Sequence, residues 1–172
     1  MKEKLDTVDI EKWRLHTSTH HKCGFITKVL RQKAKGELVT QAWAKFSTIL
    51  HTFELMPEQM DKGDKVSTLH LCEAPGAFIT CLNHFLSTNY NGVQWKWCGQ
   101  TFNPYYEGND MKEMVLDDRF IAETFGNWDF GPDFTGDLMT MKNLEHFRAK
   151  YANQRLHLVC LIVYIIVKVC CF

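Results

Sequence analysis

The chain has 172 residues, of which 45% are hydrophobic and 23% charged, and its formal net charge is zero. This length predicts one domain with a buried core, and the composition is ordinary for a folded protein. A net charge of zero excludes a global electrostatic attraction to nucleic acid, so any contact with RNA needs a local basic patch.

Helical structure is predicted up to about Phe53. Apolar side chains recur with the spacing i, i+3, i+4 between Phe25 and Leu30, which is typical of an amphipathic helix. Gly36 interrupts this pattern, and a second apolar stripe begins at Leu38. We therefore assign residues 1–36 to a helical N-terminal extension and residues 37–172 to the main domain.

Four basic residues cluster within the first of these helical stretches, namely Lys28, Arg31, Lys33 and Lys35. A cluster of this kind is most often a solvated helix face. It is also compatible with an RNA-binding patch, and the sequence leaves both interpretations open.

A strand, a tight turn and a helix are predicted over residues 66–86. The short apolar strand runs into Glu73, and an Ala74-Pro75-Gly76 turn leads into an amphipathic helix. A helix start has unpaired N–H groups and a partial positive charge, and Gly76 has no Cβ to keep a ligand away from the backbone. In an open α/β sheet such a turn usually holds a nucleotide-like ligand. A plain strand–turn–helix corner is the alternative.

The rest of the chain continues the alternation of strands and helices. Residues 93–97 alternate as a half-buried strand does, and residues 111–125 and 138–151 are predicted to be helical. The apolar run that begins at Leu156 suits a buried parallel strand. It is too short to span a bilayer, so no membrane partner is expected. The pattern predicts an α/β fold with a parallel sheet and a helical N-terminal extension.

Seven cysteines, an odd number, occur without a Cys-x-x-Cys pair and without an N-terminal secretory signal. We therefore expect a reducing location, the nucleus and cytoplasm, rather than a disulfide framework. His20, His21 and Cys23 lack a second ligand pair at zinc-finger spacing, so no metal site is expected.

The segment Leu-Cys-Glu-Ala-Pro-Gly-Ala-Phe at residues 71–78 resembles the S-adenosylmethionine loop of FtsJ/RrmJ-type ribose 2′-O-methyltransferases, in particular the cap-specific mRNA enzymes. Further matching motifs lie at residues 40–46, 103–105, 107–110, 117–119, 130–133 and 135–137. The resemblance covers about residues 10–159. It implies a Rossmann-like methyltransferase sheet, S-adenosylmethionine as cofactor, capped mRNA as partner, and methylation of the second transcribed nucleotide.

Lys45 is the candidate catalytic residue. It lies at the margin of the second apolar stripe, where partial desolvation of its ammonium group makes deprotonation easier. Periodicity alone favours an extended stem that keeps the charge in water. The resemblance implies instead that Lys45 is the first catalytic lysine, because residues 41–46 match the segment that carries it in this family.

Four residues are candidates for binding the methyl donor. Glu73 offers an acidic environment to its cationic end and Gly76 allows close backbone approach, although Glu73 also suits a carboxylate at a helix N-terminus. The resemblance implies that Trp95 lines the adenosine pocket, with an ordinary core position as the alternative. It also implies that Asp137 contacts the adenine, with a helix N-cap near Leu138 as the alternative.

The resemblance stops near residue 160. The family pattern continues from residues 157–159 into an Ala-Asp-Gly-Ser-like turn whose Asp belongs to a Lys-Asp-Lys-Glu tetrad, whereas no Asp or Glu follows Glu145 here. We therefore expect an incomplete methyltransferase domain with a divergent tail, and little or no catalysis by these 172 residues alone. A catalytically dead module that binds the cofactor or the RNA cap is the alternative. The sequence does not indicate an oligomeric state.

Overall fold

The structure is a computed structural model that describes residues 9–20, 25–57, 59–112 and 114–162. The chain divides into two compact units, Met1–Lys35 and Gly36–Phe172. Two predicted features, the cluster at His21 and Cys23 and the apolar tail after residue 162, lie outside the described residues. Of the described helices, none has the length and apolar character needed to cross a membrane.

The first unit contains two helices, α1 (Ile10–His20) and α2 (Ile26–Ala34), as predicted. Asp9 begins α1 with its Oδ1 atom accepting the Glu11 N–H at 3.1 Å. Neither helix has a buried residue. The basic residues of α2 are exposed, so the solvated face and the RNA-binding patch both remain compatible with the structure.

The second unit is built around a parallel three-stranded sheet, as predicted. The strands are β1 (Lys65–Leu71), β2 (Gln94–Gly99) and β3 (Leu158–Leu161), in the spatial order β2-β1-β3. Val66 pairs with Trp95 and Leu69 with Val159, so all three strands end at the same edge. The fold is α/β and matches an incomplete Rossmann-like methyltransferase sheet.

Helices α3 (Gln41–Thr52) and α4 (Ala77–Asn89) pack against each other in this unit. The buried side chains of α3 are Trp43, Phe46 and Leu50, which recur at helical spacing. The Phe46 ring stacks on the ring of Phe78 with 4.2 Å between centroids. Burial of this apolar stripe, rather than helix propensity alone, therefore holds α3 in place.

An aromatic cluster covers β2 on the side of the sheet where α4 begins. Ile79, Ile121, Trp128 and Phe130 form its buried centre, and Trp95, Trp97 and Phe120 pack against them. Phe120 belongs to the short helix α5 (Arg119–Glu123), which precedes a 3-10 turn at Phe125–Asn127.

The helix predicted for residues 111–125 is wrong, since the described part of this stretch is helical only within α5. Aspartate side chains accept backbone hydrogen bonds there: Asp110 accepts the Lys112 N–H at 2.9 Å, and Asp117 accepts a backbone hydrogen bond from Arg119. Aspartate favours turns over helix interiors for this reason. The helix predicted from residue 138 forms as α6 (Met141–Tyr151), three residues later.

Candidate functional site

The turn that follows β1, residues 72–76, lies at the edge where the strands end, and we refer to it as the glycine turn. Gly76 has φ +112°, a left-handed conformation that favours glycine, and its N–H donates to the Glu73 carbonyl at 2.8 Å. A Cβ at Gly76 would lie 2.7 Å from Cε1 of Phe120. The missing side chain therefore makes room for an aromatic ring of the chain itself.

The Glu73 side chain is fully buried and faces the start of α4. Its Oε1 atom accepts the N–H groups of Phe78 at 2.7 Å and Ile79 at 3.2 Å. These are two of the donors that a helix start leaves unpaired. The structure thus gives Glu73 the helix-terminal role that the sequence offered as an alternative, and its contact with a methyl donor stays a prediction.

His70 lies beside this carboxyl group, and both side chains have no exposed surface. The His70 Nδ1 atom and the Glu73 Oε2 atom are 3.8 Å apart, and neither has a hydrogen-bond partner among the described residues. Burial raises the pKa of Glu73 to about 8 and lowers the pKa of His70 to about 4. The pair is therefore neutral, and not an ion pair, near pH 7.

These opposite shifts predict how stability depends on pH. The pKa of Glu73 rises from 4.5 to about 8 on folding, so the folded state holds an extra proton and loses stability as pH rises through that interval. The pKa of His70 falls from 6.5 to about 4, which makes stability rise with pH in that lower interval. The two effects oppose each other below pH 6.5, and only the Glu73 effect remains above it.

We expect the free energy of unfolding to fall by about 2 kcal/mol between pH 6.5 and 8, at about 1.4 kcal/mol per pH unit. Urea unfolding across this range measures the fall. Glu73→Gln removes the titrating group and should flatten the curve, whereas Glu37→Gln, at an exposed position, should leave it unchanged. An equal slope in the Glu73→Gln protein would contradict the assignment.

Gln100, which sequence reasoning missed, joins the glycine turn to a second loop. The side chain is buried, its Oε1 atom accepts the Cys72 N–H at 3.1 Å, and its Nε2 atom donates to the Gly136 carbonyl. Its backbone also bonds to His70 and Glu73. A polar residue directly after a buried strand was the available signal, but nothing in the sequence named its partners.

Three asparagines hold the loop around Gly136 against the same edge. Asn103 donates its backbone N–H to the Thr135 carbonyl at 2.9 Å, and Asn109 donates its side-chain amide to the same oxygen at 2.8 Å. The Asn143 amide donates to the Asp137 carbonyl at 2.8 Å. Residues far apart in the sequence thus place Gly136 and Asp137 at the end of β2.

Asp137 is half-buried, and its Oδ1 atom accepts the Met139 N–H at 2.8 Å. The alternative of a helix N-cap is wrong, because Thr140 caps α6 by accepting the Asn143 N–H. Glu73, Gly76 and Asp137 therefore lie on loops at one edge of the sheet, joined through Gln100. The adenine contact itself stays a prediction.

Trp95 is not brought to this edge. It pairs with Val66 near the beginning of β2, and its Nε1–H group donates to Thr68 Oγ1 at 3.0 Å. With Trp97 and Phe120 its ring lines a cavity of about 200 Å³ beside α4. Its role in an adenosine pocket stays a prediction.

Lys45 is exposed on α3. The next residue, Phe46, stacks on Phe78 in the first turn of α4, so the helix that carries Lys45 packs against the helix that begins at the glycine turn. This exposure fits the alternative of an extended stem with its charge in water, and not the partial desolvation expected at the margin of the apolar stripe. Its catalytic role stays a prediction.

A larger cavity, of about 460 Å³, lies at the opposite end of the sheet. Residues 54–57 and 155–157 line it, immediately before β3 and in the connection that precedes β1. It is therefore separate from the edge that carries the glycine turn. In the part of the chain that the structure describes, no group of three or more His, Cys, Asp or Glu side chains could hold a metal ion.

The parallel sheet and the loops at its carboxyl edge are consistent with part of a Rossmann-like α/β domain. Over 159 residues it is 44% identical to the Pongo abelii protein "Cap-specific mRNA (nucleoside-2′-O-)-methyltransferase 2", a match that covers 91% of this chain and 21% of that protein. The chain is a homologue of the proteins of this name. It spans about one fifth of their length.

Relatives of the same name in other animals give similar values. The Danio rerio protein is 44% identical over 155 residues, which cover 90% of this chain and 21% of that protein. The Drosophila melanogaster protein is 40% identical over 148 residues, which cover 85% and 20%. No family model matches the chain, and no solved structure matches it.

Proposed function

We propose that the chain forms the donor-binding part of an S-adenosylmethionine-dependent mRNA cap 2′-O-ribose methyltransferase that acts on the second transcribed nucleotide. The observation that carries the proposal lies at the carboxyl end of the sheet, where the Gln100 side chain links the glycine turn to the loop around Gly136. The relatives named for this activity are 40–44% identical to the chain. A nuclear and cytoplasmic location belongs to the same proposal.

The residues at this edge fit the methyl donor in chemical terms. Asp137 uses Oδ1 for the Met139 N–H, and its Oδ2 atom is available to accept from an adenine amino group. Glu73 is buried and neutral near pH 7, so it holds the turn on α4 and does not offer a negative charge to the donor. S-adenosylmethionine, when bound, supplies a methyl group activated by its sulfonium. In this proposal Asp137 holds and orients the donor, and Gly76 keeps the turn in place while the Phe120 ring fills the space of its missing side chain.

Lys45 is the proposed general base toward the ribose 2′-hydroxyl of capped mRNA. A ribose hydroxyl has a high pKa, so its attack requires a base positioned next to it. An exposed lysine on a helix packed against α4 can meet a large RNA substrate from the solvent side. Because the formal net charge of the chain is zero, only local basic groups of this kind can attract RNA.

Gly76 is a poor position for testing donor binding. The ring of Phe120 fills the space that a new side chain would take, and the left-handed backbone adds strain to any other residue. A loss of binding in Gly76→Val would therefore combine a folding defect with a lost contact. Asp137 offers a sharper test, because asparagine keeps the Oδ1 atom that accepts the Met139 N–H.

We expect Asp137→Asn to weaken the binding of S-adenosylhomocysteine about tenfold, since the hydrogen bond to a charged acceptor is lost while the turn is kept. Isothermal titration calorimetry measures the affinity. The matched control is Asp9→Asn, where Oδ1 likewise accepts an N–H two residues on, and it should bind normally. Unchanged affinity in a folded Asp137→Asn protein would remove this residue from the donor site.

A further inference from the structure

A series of buried and half-buried polar side chains runs from β2 across β1 to the glycine turn. It begins at Trp95 on β2, whose Nε1–H donates to Thr68 Oγ1 at 3.0 Å. Thr68 Oγ1 lies 2.9 Å from Nε2 of His70, and both side chains are buried. His70 Nδ1 then faces Glu73 Oε2 at 3.8 Å. The series ends where Glu73 accepts two N–H groups of α4.

The neutral forms of Glu73 and His70 define the direction of these contacts. Oε1 of Glu73 accepts two N–H groups, so the carboxyl proton resides on Oε2 and faces Nδ1 of His70. A neutral imidazole carries one proton, which then resides on Nε2 and is donated to Thr68 Oγ1, whose two lone pairs also accept from Trp95. A small movement closes the 3.8 Å separation to a hydrogen bond and pairs two buried atoms that otherwise lack partners.

We propose that Thr68 and His70 are positioning residues, which together with Trp95 hold the Glu73 carboxyl group on the first turn of α4 and so fix the glycine turn. The consequence for the methyl donor rests on the proposed function. The consequence for α4 does not, because it follows from the contacts of Glu73 alone.

This assignment gives Trp95 an indirect effect on the donor site. Its ring lies toward the opposite end of β2 from the edge, yet its N–H group begins the series that ends at Glu73. Among the described residues, Glu73 also acts on two thiols, Cys81 on α4 and Cys160 on β3. Burial raises the pKa of both thiols, so they are neutral near pH 7 and His70 is the polar group that faces the carboxyl.

The first measurement needs no variant. Nitrogen-15 NMR of labelled histidine distinguishes the two neutral tautomers, and the proposal requires His70 to carry its proton on Nε2. Thr68→Val removes the hydroxyl that accepts from Nε2–H, so the tautomer population should shift toward Nδ1–H. An Nδ1-protonated His70 in the unmodified protein overturns the arrangement.

The second measurement reads the start of α4. In His70→Leu and Thr68→Val, we expect hydrogen exchange of the Phe78 and Ile79 amides to rise about fivefold to tenfold, because their acceptor is held less firmly. His70→Asn keeps an amide group facing Glu73 and should restore much of the protection. Thr80→Val is the control, since that buried hydroxyl donates within its own helix to Ala77.

Donor affinity separates this proposal from the proposed function. If S-adenosylhomocysteine binds, His70→Leu should weaken it about tenfold, and His70→Asn should weaken it less. If it binds none of these proteins while the amide exchange changes as expected, the proposed function fails and the positioning role stands. Unchanged exchange and unchanged affinity in both His70→Leu and Thr68→Val overturn the positioning role.

Discussion

Replacing Gly136 with alanine is expected to destabilise the protein by more than about 4 kcal/mol, or to prevent folding. The residue has φ +74°, and a Cβ there would lie 2.8 Å from the Asn103 nitrogen and 2.9 Å from Cα of Phe102, with the Thr101 carbonyl closer still. All three are backbone atoms, which cannot rotate away as a side chain can. Any shift of Gly136 also breaks its bond to Gln100.

Gly63→Ala is the matched control for this variant. Gly63 has φ +95°, but beyond its two chain neighbours no atom of the described residues lies within 4 Å of the position of its Cβ, so the substitution measures backbone strain. We expect it to cost about 1 kcal/mol. Urea unfolding of both variants gives the difference. Equal losses at the two positions would show that the loop around Gly136 is not packed against the end of β2.

Replacing Lys45 with alanine is expected to lower methyl transfer by about 10²–10⁴-fold, the usual contribution of a general base. The experiment uses a chimera in which this chain replaces the matching segment of the Danio rerio relative. Transfer of labelled methyl groups from S-adenosylmethionine to a capped oligonucleotide gives the rate. Calorimetry with S-adenosylhomocysteine should give an unchanged affinity, because the role proposed for Lys45 is toward the hydroxyl and not toward the donor.

Lys142→Ala provides the control for charge, since this lysine is also exposed but lies on α6. It should leave the rate within about twofold. A chimera that remains fully active after Lys45→Ala would refute the role of Lys45 as the base. A chimera that binds the donor and transfers no methyl group, even with Lys45 present, would instead favour the alternative of a binding module without catalysis.

Local patterns were enough to predict the central strand, the glycine turn and α4. The apolar run over β1, the Pro-Gly turn and the apolar face of α4 all lie within about 25 consecutive residues, so their signals do not depend on distant partners. The parallel sheet followed from the alternation of strands and helices. The helix predicted over residues 111–125 was wrong. The apolar spacing there is helical, but the side chains of Asp110 and Asp117 bind neighbouring groups and favour a turn.

The sequence by itself indicated the class of this protein, because several short motifs, among them the contiguous one around Glu73 and Gly76, are specific as a set. The tertiary structure decided where the side chains of that motif point. It turned Glu73 inward onto α4, put the Phe120 ring over Gly76, and left Trp95 away from the edge.

The physical reason is that the decisive partners are distant in the chain. Gln100 bonds to residues 28 and 36 positions away, and the acceptor of the Trp95 N–H is 27 positions away. A buried polar group must find such a partner, since leaving it unpaired costs about 1–3 kcal/mol. Which partner it finds depends on the packing of the strands and loops, and the spacing of residues along one segment does not contain that information.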